Sequence, residues 1–530
     1  MPRPALRSVA ILLLATVAAG CGAPSSARVL EVPPPGTRVV PSPGAEPIGA
    51  PPRTLDPLVA DLEKRAFLWF WDTANPRNGL VPDRWPAPSF SSVAAVGFGL
   101  SAYVVGAERG WVSREEARDR VLVTLRFLWN APQGPESTGT TGYRGFFYHF
   151  LDMETGRRWA KDVELSSIDT TLCLAGALSA GLFFDRDDPA EAEVRDLATK
   201  LYERVDWRWM QPRPARVAMA WLPESGFGPA DWNGYDESMI LYLLALGSPT
   251  HPATDGAWEA FCSTYRWASH EGQEYVNFAP LFGHQFSHAW VDFRGIRDAF
   301  MREKGIDYFE NSRRAVLAQR AYATRNPEGF RGYGENVWGL SACDGPADGT
   351  FTVEGRERKF VTYGARGVSS FWSHDDGTIA PMAAAASLPF AQEVVVPAIR
   401  EMKRLHGEHL WATYGFLDAF NPTFTREDVP TPLGKVVPGA GWYATNYLGI
   451  DQGPIVLMIE NQRSGLFWNL MRKSPPIVAG LRRAGFSGGF TIAYCTPDDD
   501  EGVCLEGAIN VIEAKLKPGI SFSHTTVSGG

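Results

Sequence analysis

The sequence has no long basic run, and its balance of charge is acidic. Its 530 residues include 51 Lys and Arg against 60 Asp and Glu, which gives a formal net charge of -9. Because a nucleic-acid surface needs clustered Lys and Arg to meet the phosphates, this balance argues against a nucleic-acid-binding protein. Aromatic side chains are plentiful instead, at 12% of residues, and many stand beside Gly, Asn and Asp. Flat rings with polar neighbours suit sugar binding, and a large aromatic core is the alternative.

Several catalytic signatures are also missing. There is no GxxxxGK[ST] loop for a nucleotide and no GxSxG elbow for a nucleophilic serine. Cys343, Cys495 and Cys504 show no zinc-type spacing. Cys173 and Cys262 stand in apolar helical segments, where buried free thiols are common. Cys495 and Cys504 flank the acidic turn TPDDDEG and are candidates for a hairpin disulfide in an oxidising compartment.

The apolar stretch VAILLLATVAAG near the N-terminus is too short for a permanent membrane-spanning helix. With basic residues before it, it is typical of an export signal. Its ending VAAGC resembles a bacterial lipobox, which implies a lipid on Cys21; Ala18 replaces the usual Leu, so ordinary signal cleavage is the alternative. We predict a signal peptide over residues 1–21 and a Pro-rich flexible tether over 22–55. The predicted location is extracytoplasmic, as a periplasmic or outer-membrane-anchored lipoprotein.

Beyond the tether, amphipathic helices alternate with loops rich in Gly, Pro and aromatics. Several helices are apolar almost all round, as in TLCLAGALSAGLFF, and such helices belong inside a large assembly. A dozen helices with an inner and an outer set predict an all-α fold, an (α/α)6 barrel, over residues 56–486; a superhelical stack is the alternative. Residues 487–530 follow as a small C-terminal extension with strand-like runs. The predicted helices span residues 56–73, 91–108, 113–129, 167–182, 190–205, 236–246, 254–269, 285–301, 308–324, 378–387, 391–406 and 452–470.

Five loops place polar residues before alternate helices: KDVELSSIDT, WNGYDES, FGHQFSHAWVDFRG, SHDDGTIAP and YLGIDQGPIVLMIEN. Helix capping explains any single loop, because negative charge near a helix N-terminus stabilises it by roughly 0.3 to 1 kcal/mol. Five such loops flanked by aromatics are harder to explain by capping alone. If alternate helices form the inner ring of a barrel, these loops meet at one end of it. Convergent carboxylates and aromatics there suit the cleavage of a glycosidic bond.

His284 and His288 are spaced i,i+4, and Asp292 follows at i+8, which would place three metal ligands on one helical face. The glutamate of an HExxH motif is absent, since Gln285 stands in its place. We therefore predict no metal and no other cofactor, and expect the two histidines to bind substrate or brace the wall of the site.

Long motifs from one end of the predicted domain to the other carry a family resemblance. They include FWDTANPRNGLVPDR, YRGFFYHFLDMETGRR, GYDESMILYLLALGSPTHP, PLFGHQFSHAWVDFRGIRDA, WGLSACDGP, YGFLDAFN and YLGIDQGPIVLMIENQRSG. In this order they resemble the bacterial glucoamylase-like family, which includes the endo-β-1,2-glucanases of glycoside hydrolase family 144. The resemblance implies a single (α/α)6 barrel that hydrolyses β-1,2-linked glucan or its oligosaccharides. An α-glucan-acting glucoamylase and a non-catalytic glycan-binding lipoprotein are the alternatives.

Hydrolysis of a glycoside needs a proton donor at the leaving oxygen and a second carboxylate. Glu237 is the predicted donor, because burial beside Trp232 and Tyr235 would raise its pKa and keep it protonated near neutral pH. Asp236 is predicted to cap the following helix. Asp451 is the predicted base, activating water in an inverting reaction. The competing candidates for a catalytic carboxylate are Glu164, Asp169, Asp376 and Glu460.

The predicted partner is a glucan polysaccharide or oligosaccharide, and membrane contact is expected only through a lipid on Cys21. Trp290 and Trp442 are predicted stacking surfaces, and Glu460 has an alternative role as a structural acid paired with an arginine. The complete set of predicted substrate-binding residues is Arg84, Arg144, Tyr235, Asp236, His284, His288, Trp290, Arg294, Trp442, Gln452 and Glu460.

Overall fold

The computed structural model describes residues 53–490. The predicted signal peptide, Cys21, most of the tether, the extension beyond residue 490 and the candidate pair Cys495 and Cys504 lie outside these residues and stay predictions. Within the described residues Cys173 and Cys262 are free thiols, as predicted, and Cys173 is buried. No helix in residues 53–490 combines the length and the apolar character that crossing a membrane requires.

Fifteen α-helices make up most of the regular structure in residues 53–490. They are α1 (Pro57–Thr73), α2 (Val93–Glu108), α3 (Arg114–Asn130), α4 (Ser167–Phe183), α5 (Pro189–Glu203), α6 (Met239–Gly247), α7 (Ala257–Cys262), α8 (Phe286–Trp290), α9 (Ala299–Lys304), α10 (Tyr308–Arg325), α11 (Pro381–Ala385), α12 (Gln392–Leu410), α13 (Gly449–Ser464), α14 (Leu466–Met471) and α15 (Pro475–Arg483). One 3-10 helix, Leu281–His284, precedes α8.

Twenty-two short strands lie between these helices in the described part of the chain. They are β1 (Arg84–Trp85), β2 (Ser91–Ser92), β3 (Gly142–Tyr143), β4 (Phe146–Tyr148), β5 (Phe150–Leu151), β6 (Leu165–Ser166), β7 (Ala220–Leu222), β8 (Gly226–Phe227), β9 (Trp267–His270), β10 (Gln273–Val276), β11 (Ala342–Asp344), β12 (Gly349–Val353), β13 (Arg356–Phe360), β14 (Tyr363–Ala365), β15 (Gly367–Val368), β16 (Ser373–His374), β17 (Trp411–Ala412), β18 (Gly415–Phe416), β19 (Phe420–Asn421), β20 (Gly434–Val437), β21 (Gly441–Ala444) and β22 (Tyr447–Leu448).

The strands form small antiparallel sheets in the loops. The largest has the order β3-β4-β6-β7-β8, another has the order β19-β21-β20, and the remaining strands pair in twos. The prediction of an all-α domain did not include these strands. Runs of two to five residues are too short to show a period-2 pattern, so these strands could not be recognised from the sequence.

The helices that the sequence identified as apolar all round are deeply buried. All nine residues of α6 are buried, and α2 and α4 pack with their backbones in close approach. A Cβ at Gly97 would lie 2.2 Å from the carbonyl oxygen of Leu172, and a Cβ at Gly176 would lie 2.1 Å from that of Gly97. Only glycine permits this approach. Ser92 and Ser166 cap the two helices through their side chains.

Amphipathic helices cover this buried set. Helix α3 packs against α2 and α5, and α1 packs against α2, α12 and α13. The start of α3 is fixed by a capping box, in which the side chains of Ser113 and Glu116 each accept a hydrogen bond from the other's backbone N–H. The predicted division into buried and covering helices is therefore confirmed for these elements.

Two predicted helices are much shorter than expected. Helix α7 replaces residues 254–269, which end instead in the β9–β10 hairpin. Residues 285–301 divide into α8 and α9, because the chain turns between them at Gly295, whose φ of 72 favours glycine. A helix absent from the prediction, α15, packs against α6.

Candidate active site

Eight acids affect one another's pKa values: six lie at or before the starts of α2, α4, α6 and α13, one ends β11, and one lies between β18 and β19. With Arg84 and His149 they form what we call the carboxyl cluster: Asp83, Glu164, Asp169, Asp236, Glu237, Asp344, Asp418 and Asp451.

Short strand pairs hold these loops together. In the β1–β22 pair Arg84 faces Leu448, three residues before Asp451. In the β2–β5 pair Ser92 faces Phe150, the neighbour of His149, and β4 pairs with β6 just before α4. These pairings join the segments that precede α2, α4 and α13, so side chains far apart in sequence become neighbours.

His149 bridges two acids. Its Nδ1 lies 2.8 Å from Oε1 of Glu164, and its Nε2 lies 3.4 Å from Oδ1 of Asp169. Burial alone would lower the pKa of His149, but the charges of Asp169 and then Glu164 outweigh it and raise that pKa to about 9. His149 is therefore an imidazolium at neutral pH. Its charge holds the pKa of Glu164 below the usual range in spite of burial, while burial still raises that of Asp169.

Asp236 and Glu237 lie in the turn before α6. The helix begins at Met239 with Ser238 as its N-cap, so the prediction that Asp236 caps it is corrected. Asp236 instead accepts hydrogen bonds from the N–H of Ser238 at 2.9 Å and from its hydroxyl at 2.5 Å. Burial raises the pKa of Asp236 to about 7. Burial, and next the charge of Asp236, raise the pKa of Glu237 well above its ordinary value, with a further contribution from Asp169.

Arg84 is the arginine of the cluster. Its Nη1 donates to both oxygens of Asp344, at 3.2 and 3.1 Å, and its Nε to Asp83 at 3.4 Å. The N–H of Asp344 donates to Asp418 at 2.7 Å. Burial, and then the charge of Asp418, raise the pKa of Asp344 well above its usual range, although Arg84 opposes both effects. Arg84 is thus placed in the cluster, as predicted, but its charge is engaged by acids of the protein itself.

Asp451 is buried and lies against Asp418. Burial, and then the charge of Asp418, raise the pKa of Asp451 well above its ordinary range. Neither oxygen of Asp451 has a hydrogen-bond partner in the described residues. Gln452, the next residue, donates to the carbonyl of Phe416 at 3.3 Å.

Three charged residues that were predicted to act on the substrate form ion pairs with other side chains of the protein instead. Asp376 and Arg366 form an ion pair in which both side chains are 0% exposed. Glu460 lies 3.2 Å from Arg109, nine residues and about 13 Å of helix away from Asp451. Arg144 pairs with Asp206 outside the carboxyl cluster. These placements correct the expected roles and favour the structural alternative for Glu460.

The predicted stacking surfaces are not available to a ligand. Trp290 and Trp442 are each 0% exposed. Trp290 donates to the hydroxyl of Ser101 at 3.1 Å and stacks on Phe98 with 5.1 Å between the ring centroids. A sugar needs an open ring face, so both tryptophans are corrected to core residues.

The two predicted histidines also belong to the core. His284 bonds the carbonyl of Phe278 at 3.1 Å, and His288 bonds the hydroxyl of Ser312 at 3.1 Å. Burial lowers the pKa of His284 to about 4 and that of His288 to about 3, so both are neutral. His284 ends a 3-10 helix and His288 belongs to α8, so they do not share one helical face as expected. Residues 53–490 contain no group of three His, Cys, Asp or Glu arranged to hold a metal.

Two further predicted binding residues have internal partners. The hydroxyl of Tyr235 lies 3.3 Å from that of Ser312, and its ring is buried. Arg294 donates to both oxygens of Asp292, at 2.8 and 2.9 Å. Both residues are therefore held by internal partners, which corrects their predicted contact with substrate.

The structure brings in four cluster residues that the sequence analysis did not select: Asp83, His149, Asp344 and Asp418. Each lies within a quoted family motif, namely FWDTANPRNGLVPDR, YRGFFYHFLDMETGRR, WGLSACDGP and YGFLDAFN. That signal was available, but none of these residues directly precedes a predicted helix, which was the criterion for choosing candidates.

This chain is similar to proteins that are named for activity on glucans. The family model described as "Putative glucoamylase" matches residues 229–475. A solved structure of a "putative glucoamylase" from Bacteroides uniformis is 30% identical, with a TM-score of 0.69 over 83% of this chain and 99% of that one. The endo-β-1,2-glucanase from Chitinophaga pinensis, solved with sophorotriose and glucose, is 28% identical, with a TM-score of 0.70 over 82% of this chain and 100% of that one.

A curated relative from Parabacteroides distasonis is named exo β-1,2-glucooligosaccharide sophorohydrolase (non-reducing end). It is 28% identical over 462 residues, which are 82% of this chain. The match spans only 58% of the length of that relative.

Proposed function

This chain belongs to the glucoamylase-like family, and on that premise we propose that it is a glycoside hydrolase of β-1,2-linked glucan or its oligosaccharides. The relatives from Parabacteroides and Chitinophaga, both named for β-1,2-linked glucose, support this substrate class. The observation that carries the proposal is the carboxyl cluster. In it the buried acid Glu237 lies among other acids, and burial and mutual repulsion raise the pKa values of Glu237 and Asp451.

Glu237 supplies the proton. Its raised pKa keeps the carboxyl group protonated near neutral pH, so it can protonate the leaving glycosidic oxygen as the bond from that oxygen to the anomeric carbon breaks. The new negative charge on Glu237 then forms near Asp236 and Asp169, whose repulsion favours its return to the protonated state.

The Asp418–Asp451 pair supplies the base. The charge of Asp418 raises the pKa of Asp451, so the two carboxyl groups titrate as a unit in which one ionises before the other. The ionised member accepts a proton from water while the water oxygen forms its bond to the anomeric carbon. Attack from the face opposite the leaving group inverts the anomeric configuration.

We propose the (α/α)6 barrel as the arrangement of the helices, over the predicted domain 56–486. Six helices that consist largely of buried residues, α2, α4, α6, α8, α11 and α13, would form the inner ring. Contacts of α2 with α4, of α4 with α6, and of α13 with α2 and α11 support this order, and α8 contacts α13. Helices α1, α3, α5, α7, α10 and α12 would then form the outer ring.

The proposed location is extracytoplasmic, with a lipid anchor at Cys21, and the export-type sequence before that residue supports it. Mass spectrometry of the N-terminal peptide from membranes tests this. A mass that includes a diacylglyceryl group on Cys21 is the expected result, and a peptide that begins after Cys21 would point to ordinary signal cleavage.

A substrate assay tests the function. The purified protein should shorten linear β-1,2-glucan, and the first product should appear as the α-anomer by NMR. Release of glucose from maltooligosaccharides instead would favour an α-glucan glucoamylase. Tight binding of β-1,2-glucan without any product would favour a non-catalytic role, and a first-formed β-anomer would contradict inversion.

The substitution Glu237→Gln tests the proton donor. Turnover should fall by about 10²- to 10⁴-fold, because an amide cannot protonate the leaving oxygen. Glu408→Gln, at an exposed position on α12, is the matched control and should leave turnover unchanged. Full activity of Glu237→Gln in a folded protein would remove Glu237 from the mechanism.

A further inference from the structure

Trp159 is an exposed aromatic residue close to the carboxyl cluster. Its side chain is 45% exposed, although burial of a ring of this size is favourable and the chain buries other tryptophans completely. The segment that carries it is fixed. The N–H of Trp159 donates to the carbonyl of Phe150 at 3.0 Å, so the ring projects from an ordered backbone.

The neighbour of Trp159 anchors this segment. Arg158 is buried and donates to the carbonyl of Val163 at 2.7 Å and to Glu224 at 2.9 Å. Its guanidinium group also lies 4.9 Å from the ring centroid of Tyr148. With Arg158 held in this way, the backbone that presents Trp159 to solvent loses little freedom when the ring binds a ligand.

A continuous series of rings connects Trp159 to the acids. Its ring centroid lies 5.6 Å from that of Phe90, and Phe90 lies 4.2 Å from Phe150. Phe150 in turn stacks on His149, with 3.8 Å between the centroids. His149 is the imidazolium that bridges Glu164 and Asp169. The exposed ring is therefore three ring contacts away from the carboxyl cluster.

Phe90 also connects this series to the Arg84 loop. Its carbonyl accepts a hydrogen bond from the N–H of Asp83 at 2.8 Å, which closes the loop of residues 83–90. Trp85, in the same loop, is 38% exposed and contacts Tyr414 edge-on, with 5.5 Å between the centroids. The cluster thus has exposed aromatic rings on its border as well as charged groups within it.

We propose that Trp159, supported from behind by Phe90, is a glucosyl-stacking subsite at the outer edge of the active site. The inference rests on the proposed function, because it takes a glucan chain as the occupant. An aromatic face binds the C–H face of a pyranose ring, while the acids and Arg84 bind hydroxyl groups closer to the bond that is cleaved. Trp159 therefore binds a glucose unit distant from that bond and increases the affinity for longer chains.

The test compares chain lengths. For Trp159→Ala, the KM for β-1,2-glucan polymer should rise about tenfold with kcat unchanged, while the kinetics of the shortest cleaved oligosaccharide stay as in the wild type. Trp159→Phe keeps a ring and should restore most of the affinity. Trp129→Ala is the matched control, since Trp129 is 37% exposed at the end of α3, where its ring lies under Arg204.

The outcomes separate the two proposals. A wild-type protein that leaves β-1,2-glucan uncut overturns the proposed function, and the subsite with it. A wild type that cuts the polymer, with the same KM in Trp159→Ala, overturns the subsite alone. Two other results would show that Trp159 has a packing role and would also overturn the subsite. One is a loss of kcat that is equal at every chain length. The other is a lowered Tm that Trp159→Phe restores without restoring KM.

Discussion

Helix α13 carries two buried acids, Asp451 near its start and Glu460 near its end, and their surroundings differ. The pKa of each is affected by a neighbouring acid, Asp418 in the first case and Glu63 in the second. Arg109 and Arg463 both lie within ion-pair distance of Glu460, at 3.2 and 3.6 Å. Among the described residues no arginine or lysine forms an ion pair with Asp451.

The difference separates a structural acid pair from a reactive one. Arginines beside Glu63 and Glu460 offset the cost of burying charge, so that pair joins α1, α2 and α13. Asp451 has no such compensation, and its oxygens remain available to a molecule that can donate a proton. The same chemical group therefore has opposite uses about 13 Å apart on one helix.

The largest expected effect is at Asp451. Asp451→Asn should lower kcat on β-1,2-glucan by about 10²- to 10⁴-fold without lowering Tm, because it removes a base and a repulsive charge. Glu460→Gln is the matched control on the same helix and should keep kcat. Equal kcat losses in the two variants would contradict the distinction drawn between the two acids.

His149→Gln should have the next largest effect. Without the imidazolium, Glu164 and Asp169 lose the charge that holds down their pKa values, so both stay protonated to higher pH. We expect kcat/KM to fall by about 10- to 100-fold at pH 7 and the basic limb of its pH profile to move to lower pH, because a protonated Asp169 no longer raises the pKa of the donor Glu237. His406→Gln, which changes a hydrogen bond to Tyr443 outside the carboxyl cluster, should leave the profile in place. An unshifted profile in His149→Gln would argue that His149 has only a packing role.

Arg463→Ala should affect stability rather than catalysis. It leaves Glu63 and Glu460 with one arginine fewer, and we expect the free energy of unfolding in urea to fall by about 1 to 3 kcal/mol. The exposed Arg404→Ala on α12 should change it by less than about 0.5 kcal/mol. A large fall in kcat with unchanged stability would contradict the assignment of Asp451 as the reactive acid of α13 and Glu460 as its structural acid.

The smallest effect concerns the pH dependence of stability. Burial, and then Glu460, raise the pKa of Glu63 from 4.5 to about 8, so the folded protein holds a proton that the unfolded chain releases. Stability is therefore lost as pH rises from about 4.5 through 8. In Glu63→Gln we expect this loss between pH 5 and pH 8 to shrink by about 1 to 2 kcal/mol in urea unfolding. The exposed Glu303→Gln should keep the wild-type slope, and an equal slope in Glu63→Gln would refute the raised pKa.

The sequence predicted the buried helices well, because their apolar character is visible in each segment alone. The segments of α2, α4 and α6 can be recognised as buried helices without knowledge of the rest of the chain. Prediction was poorer where an aromatic or imidazole side chain stands in a polar motif. Trp290 and His288 were taken for binding residues, but their polar atoms bond to Ser101 and Ser312 inside the core. A motif shows that a residue type is needed, and not which way its side chain points.

By itself the sequence determined the largely helical character of the fold, the loops that carry many of the acids and the choice of Glu237 and Asp451 as candidates. It could do so because hydrophobic periodicity and the polar loops before helices are local properties. Only the tertiary structure decided the partners of those acids. His149 reaches Glu164 and Asp169 through the β4–β6 pairing, and Asp418 reaches Asp451 from another loop. Charge compensation depends on distances between segments remote in sequence, and it separates Asp451 from Glu460 on the same helix.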